Sequence, residues 1–320
     1  MKKAVFLDLD TLGPADLSLS ALEELPLSWT YHAATTADTL PEHIHDAEII
    51  VSNKCVLNAE SIFAAGQLQY ICAAATGFNH IDIDTADKQG IPVSNVRNYA
   101  TPSVVEHVYA LILALSTKLM SYSAAVQHGD WSRAENFCLL DYPIEEIAGK
   151  SLGIIGYGTL GRAVADVAPA FGMEVLISQH LHGAPESNRV ELDELLARAD
   201  IISLHLPLTP QTTNLIDERE ISLMKPTALL INASRGGIVN EAALADALRH
   251  GQLGGAGFDV LSKEPPVADN PLLAKDIPNL IITPHTAWAS RQSRQRLVEQ
   301  IATNIESFLN GDADNRVGAI

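Results

Sequence analysis

The chain has 320 residues, with 21 Lys or Arg against 39 Asp or Glu, a formal net charge of −18. With 47% hydrophobic and 19% charged residues it can bury a sizeable core, which excludes a disordered or fibrous chain. At about 150 residues per domain it makes about two domains, and so acidic a surface argues against nucleic acid and membrane surfaces as partners.

The three cysteines, Cys55, Cys72 and Cys138, form no Cys-x-x-Cys pair and suit a reducing compartment. The start Met1-Lys2-Lys3-Ala4-Val5-Phe6-Leu7 imitates a signal peptide, but Asp8 and Asp10 cut its apolar run early. The other long apolar stretch, Val108–Leu115, is well short of the ~20 residues of a spanning helix. A soluble, cytoplasmic protein is expected.

Short apolar runs alternate with helical patterns. Strands are predicted over Lys3–Leu9, Trp29–Ala33, Glu48–Ser52, Gln69–Ala73 and Pro92–Ser94, with helices over Asp16–Leu25, Ala59–Ala65 and Asp84–Gln89. Thr101 and Pro102 then open one long helix that runs to about His128, where Gly129 ends it. The stretch Trp131–Lys150 reads as irregular, either an arm against a partner subunit or a surface connection. A second series has strands Leu152–Ile155, Glu174–Ser178, Ile201–Leu206, Ala228–Asn232, Gly255–Asp259 and Leu280–Thr283, then a last helix Arg291–Phe308. Such alternation predicts an α/β chain of two doubly wound parallel-sheet domains. The expected division is residues 1–100 plus 288–320 against 101–287.

Gly156-Tyr157-Gly158-Thr159-Leu160-Gly161 follows a strand and opens a helix, the setting a dinucleotide site needs. Gly156 permits the turn, Gly158 lets a diphosphate approach backbone N–H groups, and Gly161 lets helix and strand pack. The acidic residue that holds the NAD ribose belongs ~20 residues further on, where the chain has Ser178-Gln179-His180. Gln179 can bond a hydroxyl without repelling a 2′-phosphate, and His180, His182 or Arg189 could assist one. NAD is favoured and NADP stays open.

Arg235, Glu264 and His285 each come just after a separate strand of the second series, at the sheet edge where open α/β sheets bind ligands. A guanidinium can grip a carboxylate in bidentate fashion. A carboxylate beside an imidazole fixes its tautomer and favours the protonated ring, which suits a proton donor to a carbonyl. His43 and His45 lack further ligands, so no metal site is expected. Cys55 and Cys72 read as buried fillers, and Lys54, after a first-series strand, could attract an anion.

Taken together, Ala74–Asp82, Thr101–His107, Gly156–Gly161, Asn232–Gly237, Gly257–Val260 with Glu264, and Pro284-His285 resemble the D-isomer-specific 2-hydroxyacid dehydrogenase family over essentially the whole chain. The resemblance implies a Rossmann cofactor domain inserted in a flavodoxin-like substrate domain. It implies Arg235 on the substrate carboxylate and carbonyl, His285 as acid/base with Glu264 as its partner, and Lys54, Thr76 and Gly77 as further substrate-binding residues. It puts Asp259 on the nicotinamide carboxamide and adds Thr101, Tyr157, Thr159, Leu160, Gln179, Pro207, Ala233 and Ser234 to the cofactor site. Homodimers are usual in the family. Asn53-Lys54, Phe137–Pro143 and His285–Ser290 are similar to glycerate dehydrogenases, also called hydroxypyruvate reductases, which implies reduction of hydroxypyruvate to D-glycerate. Reduction of glyoxylate or another 2-oxo acid is the alternative within the family. A dinucleotide-sensing corepressor without significant turnover is the alternative outside enzymes.

Overall fold

The structure is a computed structural model that describes residues 1–180 and 186–318. The chain divides into two compact units, Met1–Ala100 with Trp288–Ile320, and Thr101–Ala287. In chain order, the first unit contributes β1 (Lys2–Phe6), α1 (Ser20–Glu23), β2 (Leu27–Tyr31), α2 (Leu40–Ile44), β3 (Ile49–Ser52), α3 (Ala59–Ala64), β4 (Tyr70–Ala73), α4 (Ile83–Lys88) and β5 (Val93–Ser94). The second unit contributes α5 (Thr101–Ser116), α6 (Leu119–His128), α7 (Asp130–Arg133), β6 (Ser151–Ile155), α8 (Thr159–Val167), β7 (Glu174–Ile177), α9 (Leu192–Arg198) and β8 (Ile201–Leu204). It continues with α10 (Glu218–Leu223), β9 (Leu229–Asn232), α11 (Glu241–Arg249), β10 (Gly255–Phe258) and β11 (Leu280–Ile282). The chain then returns to the first unit with α12 (Arg291–Leu309) and β12 (Arg316–Val317).

The first sheet has the order β12-β5-β4-β3-β1-β2. Five strands run parallel in the flavodoxin-like order 2-1-3-4-5, and only β12 is antiparallel, against β5. The second sheet, β11-β10-β9-β8-β6-β7, is parallel throughout. The dinucleotide-binding order 3-2-1-4-5-6 has one more strand beyond β7. Here a single parallel bridge, Ser178 with Val190, stands in that place. Every residue of β3, β4, β8, β9 and β10 is buried, which is why these strands read as unbroken apolar runs rather than alternating ones. Polar side chains start the helices between them: Asn58 accepts from the Ser61 N–H (2.9 Å) ahead of α3, and Asp217 forms a capping box ahead of α10.

Several elements differ from the sequence reading. The long helix expected from Thr101 to His128 is two helices, α5 and α6, bent by 60° at a break. Lys118 there is left-handed at φ 55°, and neither Gly nor Pro marks the place. The helix expected over Asp16–Leu25 reduces to the single turn α1 with a 3-10 turn at Pro14–Asp16 before it. The first strand stops at Phe6, because the chain turns at Asp8 into a second 3-10 turn. Trp131–Lys150 is irregular except where α7 reaches Arg133. Among the described residues no single helix is long and apolar enough to cross a membrane.

Candidate active site

In the second unit, all but one of the expected site residues stand at or just beyond the carboxyl ends of the parallel strands. Gly156–Gly161 follows β6, Gln179 follows β7, and Pro207 follows β8. Ala233, Ser234 and Arg235 follow β9, Asp259 and Glu264 follow β10, and His285 follows β11. Thr101 is the exception, as the first residue of α5.

The glycine loop is shaped for an anion. Gly156 turns with φ 95°, and a Cβ on Gly161 would lie 2.0 Å from the Gly156 carbonyl oxygen, so neither position tolerates a side chain. Gly158 is exposed with open space where its Cβ would be. The N-terminus of α8 has no side-chain cap, and the N–H groups of Gly158, Thr159 and Leu160 meet no acceptor among the described residues. Unsatisfied N–H groups and the positive end of the helix dipole favour a phosphate there. The residues present therefore fit the diphosphate of a dinucleotide.

Around that loop Tyr157 lies beneath two guanidiniums, Arg162 at 5.2 Å and Arg189 at 5.6 Å from its ring centre. Gln179 is occupied by its own chain: its amide bonds Glu186 N (3.0 Å), Glu186 O (3.0 Å) and Arg189 O (3.3 Å). Glu186 pairs with both His180 and Arg189 at 3.0 Å. His182, also considered for a 2′-phosphate, lies outside the described residues. Behind the loop, burial pushes the His205 pKa down to about 4. Its Nε2 is 2.9 Å from Ser203 Oγ, while its Nδ1 is shut off from solvent without a partner.

Arg235 is exposed, donates to the Ser234 carbonyl (2.7 Å), and pairs with no carboxylate among the described residues. The turn that presents it is built by Asn232, to which the sequence reading of Asn232–Gly237 gave no role. This buried side chain accepts from Ser234 N (3.1 Å) and Oγ (2.8 Å) and donates to the Arg235 carbonyl (2.9 Å). Gly236 is required next, since a Cβ there would lie 1.9 Å from the Leu261 carbonyl oxygen.

His285 and Glu264 do come together, with Nδ1 and Oε2 2.5 Å apart, on side chains about one third exposed. The other oxygen of Glu264 accepts from Leu261 N (2.9 Å), which orients the carboxylate. The backbone of His285 is left-handed, φ 54°, a conformation that costs a non-glycine residue about 1–2 kcal/mol. Asp259 maintains it. Its carbonyl accepts from His285 N (2.8 Å), and its carboxylate, 1% exposed as a residue, accepts from Thr283 Oγ1 (2.6 Å), Thr286 N (2.9 Å) and Ala287 N (2.8 Å). Both oxygens of Asp259 thus hold their own chain. His107 Nε2 joins this cluster at 2.8 Å from Thr283 Oγ1. It sits on α5, 176 residues from Thr283 in sequence; it closes the segment Thr101–His107 quoted above, which gave it no role.

In the first unit, Lys54 follows β3 and Thr76-Gly77 follows β4. Lys54 and Thr76 are exposed, and Thr76 is fixed by Oγ1 to Val96 O (2.9 Å) and by Asn95 Nδ2 on its carbonyl (2.7 Å).

Residues 109–287 match the sequence model described as D-isomer specific 2-hydroxyacid dehydrogenase, NAD binding domain. The chain belongs to the D-isomer-specific 2-hydroxyacid dehydrogenase family. It is 43% identical over 318 residues to a glycerate dehydrogenase of Methylorubrum extorquens, covering 99% of both chains. It is 38% identical over 321 residues to a hydroxypyruvate reductase of Blautia hydrogenotrophica, covering 98% of this chain and 99% of the relative. Among solved structures it resembles the TT0316 protein of Thermus thermophilus, with TM-score 0.88, 32% identity, and 99% and 100% of the two chains covered. As a member of the 2-hydroxyacid dehydrogenases the protein is an NAD-dependent oxidoreductase that acts on a small 2-oxo or 2-hydroxy acid. Its second unit carries the family's NAD-binding domain.

Proposed function

We propose that the protein reduces hydroxypyruvate to D-glycerate. The observation that supports this most is the 2.5 Å pairing of His285 Nδ1 with Glu264 Oε2, which leaves Nε2 as the nitrogen that carries a proton to a substrate oxygen. The names of the two relatives above support the substrate.

When bound, NADH supplies the hydride. The Gly156–Gly161 loop, with Tyr157, Thr159 and Leu160, would hold its diphosphate, and Thr101, Gln179, Pro207, Ala233 and Ser234 would complete the site. Arg235 would grip the substrate carboxylate and stabilise the developing alkoxide. Lys54, Thr76 and the Gly77 backbone are proposed as further carboxylate ligands. Asp259, which binds the segment Thr283–Ala287, would also meet the nicotinamide carboxamide. Apolar residues exposed on α6 and on the connection after α7 support a homodimer: Met120 is 61%, Phe137 90% and Leu140 81% exposed.

Purified protein mixed with hydroxypyruvate, with NADH and NADPH oxidation followed in parallel and glyoxylate as a second substrate, tests the reading. Rapid loss of NADH is expected. Loss only with glyoxylate would move the substrate within the family. No loss with either acid, despite NADH binding, would favour the sensor reading.

A further inference from the structure

Asp8 lies two residues beyond β1 and is 4% exposed. Its carboxylate accepts from three consecutive backbone N–H groups: Asn53 (2.9 and 3.2 Å to the two oxygens), Lys54 (2.6 Å) and Cys55 (2.9 Å). Successive N–H groups that converge in this way make an anion-binding concavity. Here the anion belongs to the chain itself. A buried carboxylate is tolerable only when bonded in this manner.

The same turn is tied at other points. Asn53 Nδ2 donates to Thr11 Oγ1 (2.9 Å), Ser52 Oγ donates to the Cys55 carbonyl (2.9 Å), and His80 Nε2 lies 3.3 Å from the Ser52 carbonyl. Between β3 and α3 the chain reads Asn53-Lys54-Cys55-Val56-Leu57-Asn58, with neither Gly nor Pro to set a turn. Its three consecutive N–H groups are held from outside by one carboxylate 45 residues upstream.

We propose that Asp8 is the positioning residue of the substrate loop: it fixes Asn53–Cys55 so that Lys54 is presented to the anionic end of the 2-oxo acid. The proposal rests on the role given to Lys54 above. An Asn at position 8 offers one acceptor oxygen and turns an NH2 toward N–H groups. A Gly leaves a hole that a small carboxylate fits.

The test is Asp8→Gly with and without formate, and Asp8→Asn as a variant that keeps the side-chain volume. KM for hydroxypyruvate should rise about tenfold in Asp8→Gly, the loss of roughly one charge-assisted hydrogen bond. KM for NADH should stay put, and formate should restore part of the loss in Asp8→Gly but not in wild type. Iodoacetamide labelling of Cys55, read by peptide mapping, gives a second readout that needs no substrate. Labelling should rise in Asp8→Gly and fall again with formate, with buried Cys72 as the internal control. Asp8→Asn should show the same KM split without rescue.

A Cys55 labelled no faster than in wild type would show that Asp8 does not hold the loop. Faster labelling with unchanged hydroxypyruvate KM would show that the loop does not serve the substrate. A parallel rise in both KM values in both variants would reduce Asp8 to general stability. If the wild type turned over no 2-oxo acid, the functional reading would fall instead, and Cys55 labelling would still decide whether Asp8 holds the loop.

Discussion

Loops leave the carboxyl ends of the two parallel sheets in two different states. The turn after β3 and the segment after β11 are closed by buried carboxylates of their own chain. Asp8 takes the N–H groups of residues 53–55, and Asp259 takes those of Thr286 and Ala287. In both cases the carboxylate sits past the neighbouring strand of the same sheet, β1 beside β3 and β10 beside β11. The loop after β6 has no such filling, and its N–H groups meet no acceptor among the described residues. A loop satisfied from inside is a rigid mount for one side chain, Lys54 in the first unit and His285 in the second. A loop left unsatisfied is a receptor for an outside anion.

The sharpest way to break this contrast is at the mounted groups. His285→Ala should lower turnover about 100-fold or more, the loss of a general acid, with NADH binding retained. Unchanged turnover in steady-state kinetics would remove His285 from the chemistry. Asp259→Asn keeps one acceptor oxygen for three donors, so the left-handed backbone of His285 loses part of its support. Turnover should fall about tenfold, as expected for a group displaced rather than deleted, and a fall equal to that of His285→Ala would mean that Asp259 does more than hold it.

Two smaller effects are set by charge. Glu264→Gln removes the negative charge 2.5 Å from the His285 ring. The amide oxygen can still accept from the Nδ1–H but binds it more weakly, so turnover should fall by less than in His285→Ala. A fall as large as that of His285→Ala in steady-state kinetics would mean that Glu264 does more than orient the ring. His205 is held neutral by burial, with its pKa near 4 against 6.5 for the free side chain. The unfolded chain binds more protons between those values, so stability falls as pH drops from 6.5 toward 4, by up to about 3 kcal/mol. Urea unfolding of His205→Gln should show a flatter acid-side slope than wild type.

Much of this was legible in the sequence. Strands buried on both faces give unbroken apolar runs, and the residues just past them, Arg235, Glu264 and His285, fall at one sheet edge because parallel strands all end there. The glycine fingerprint reads directly because its chemistry is local. What the sequence hides is what acts at a distance. Asp8 looks like a mere interruption of an apolar run, since its partners are 45 to 47 residues away. The hold of Asp259 on Thr283, Thr286 and Ala287 is hidden for the same reason, since they lie 24 to 28 residues away. The bonds of Gln179 to Glu186 and Arg189 carry no local mark either. The break at Lys118 is hidden because the helical pattern runs through it, and a left-handed lysine carries no sequence mark.

The contrast between filled and open loops is tested most directly by titrating NADH into wild type, Gly158→Val and Asp8→Gly and following the nicotinamide fluorescence. A Cβ at 158 meets no atom within 4 Å, so a valine there starts into open space, where a ligand would approach. Gly158→Val should keep the wild-type melting temperature and lose at least about tenfold in NADH affinity, while Asp8→Gly binds NADH as wild type does. Wild-type affinity in Gly158→Val, or an equal loss in Asp8→Gly, would contradict the account.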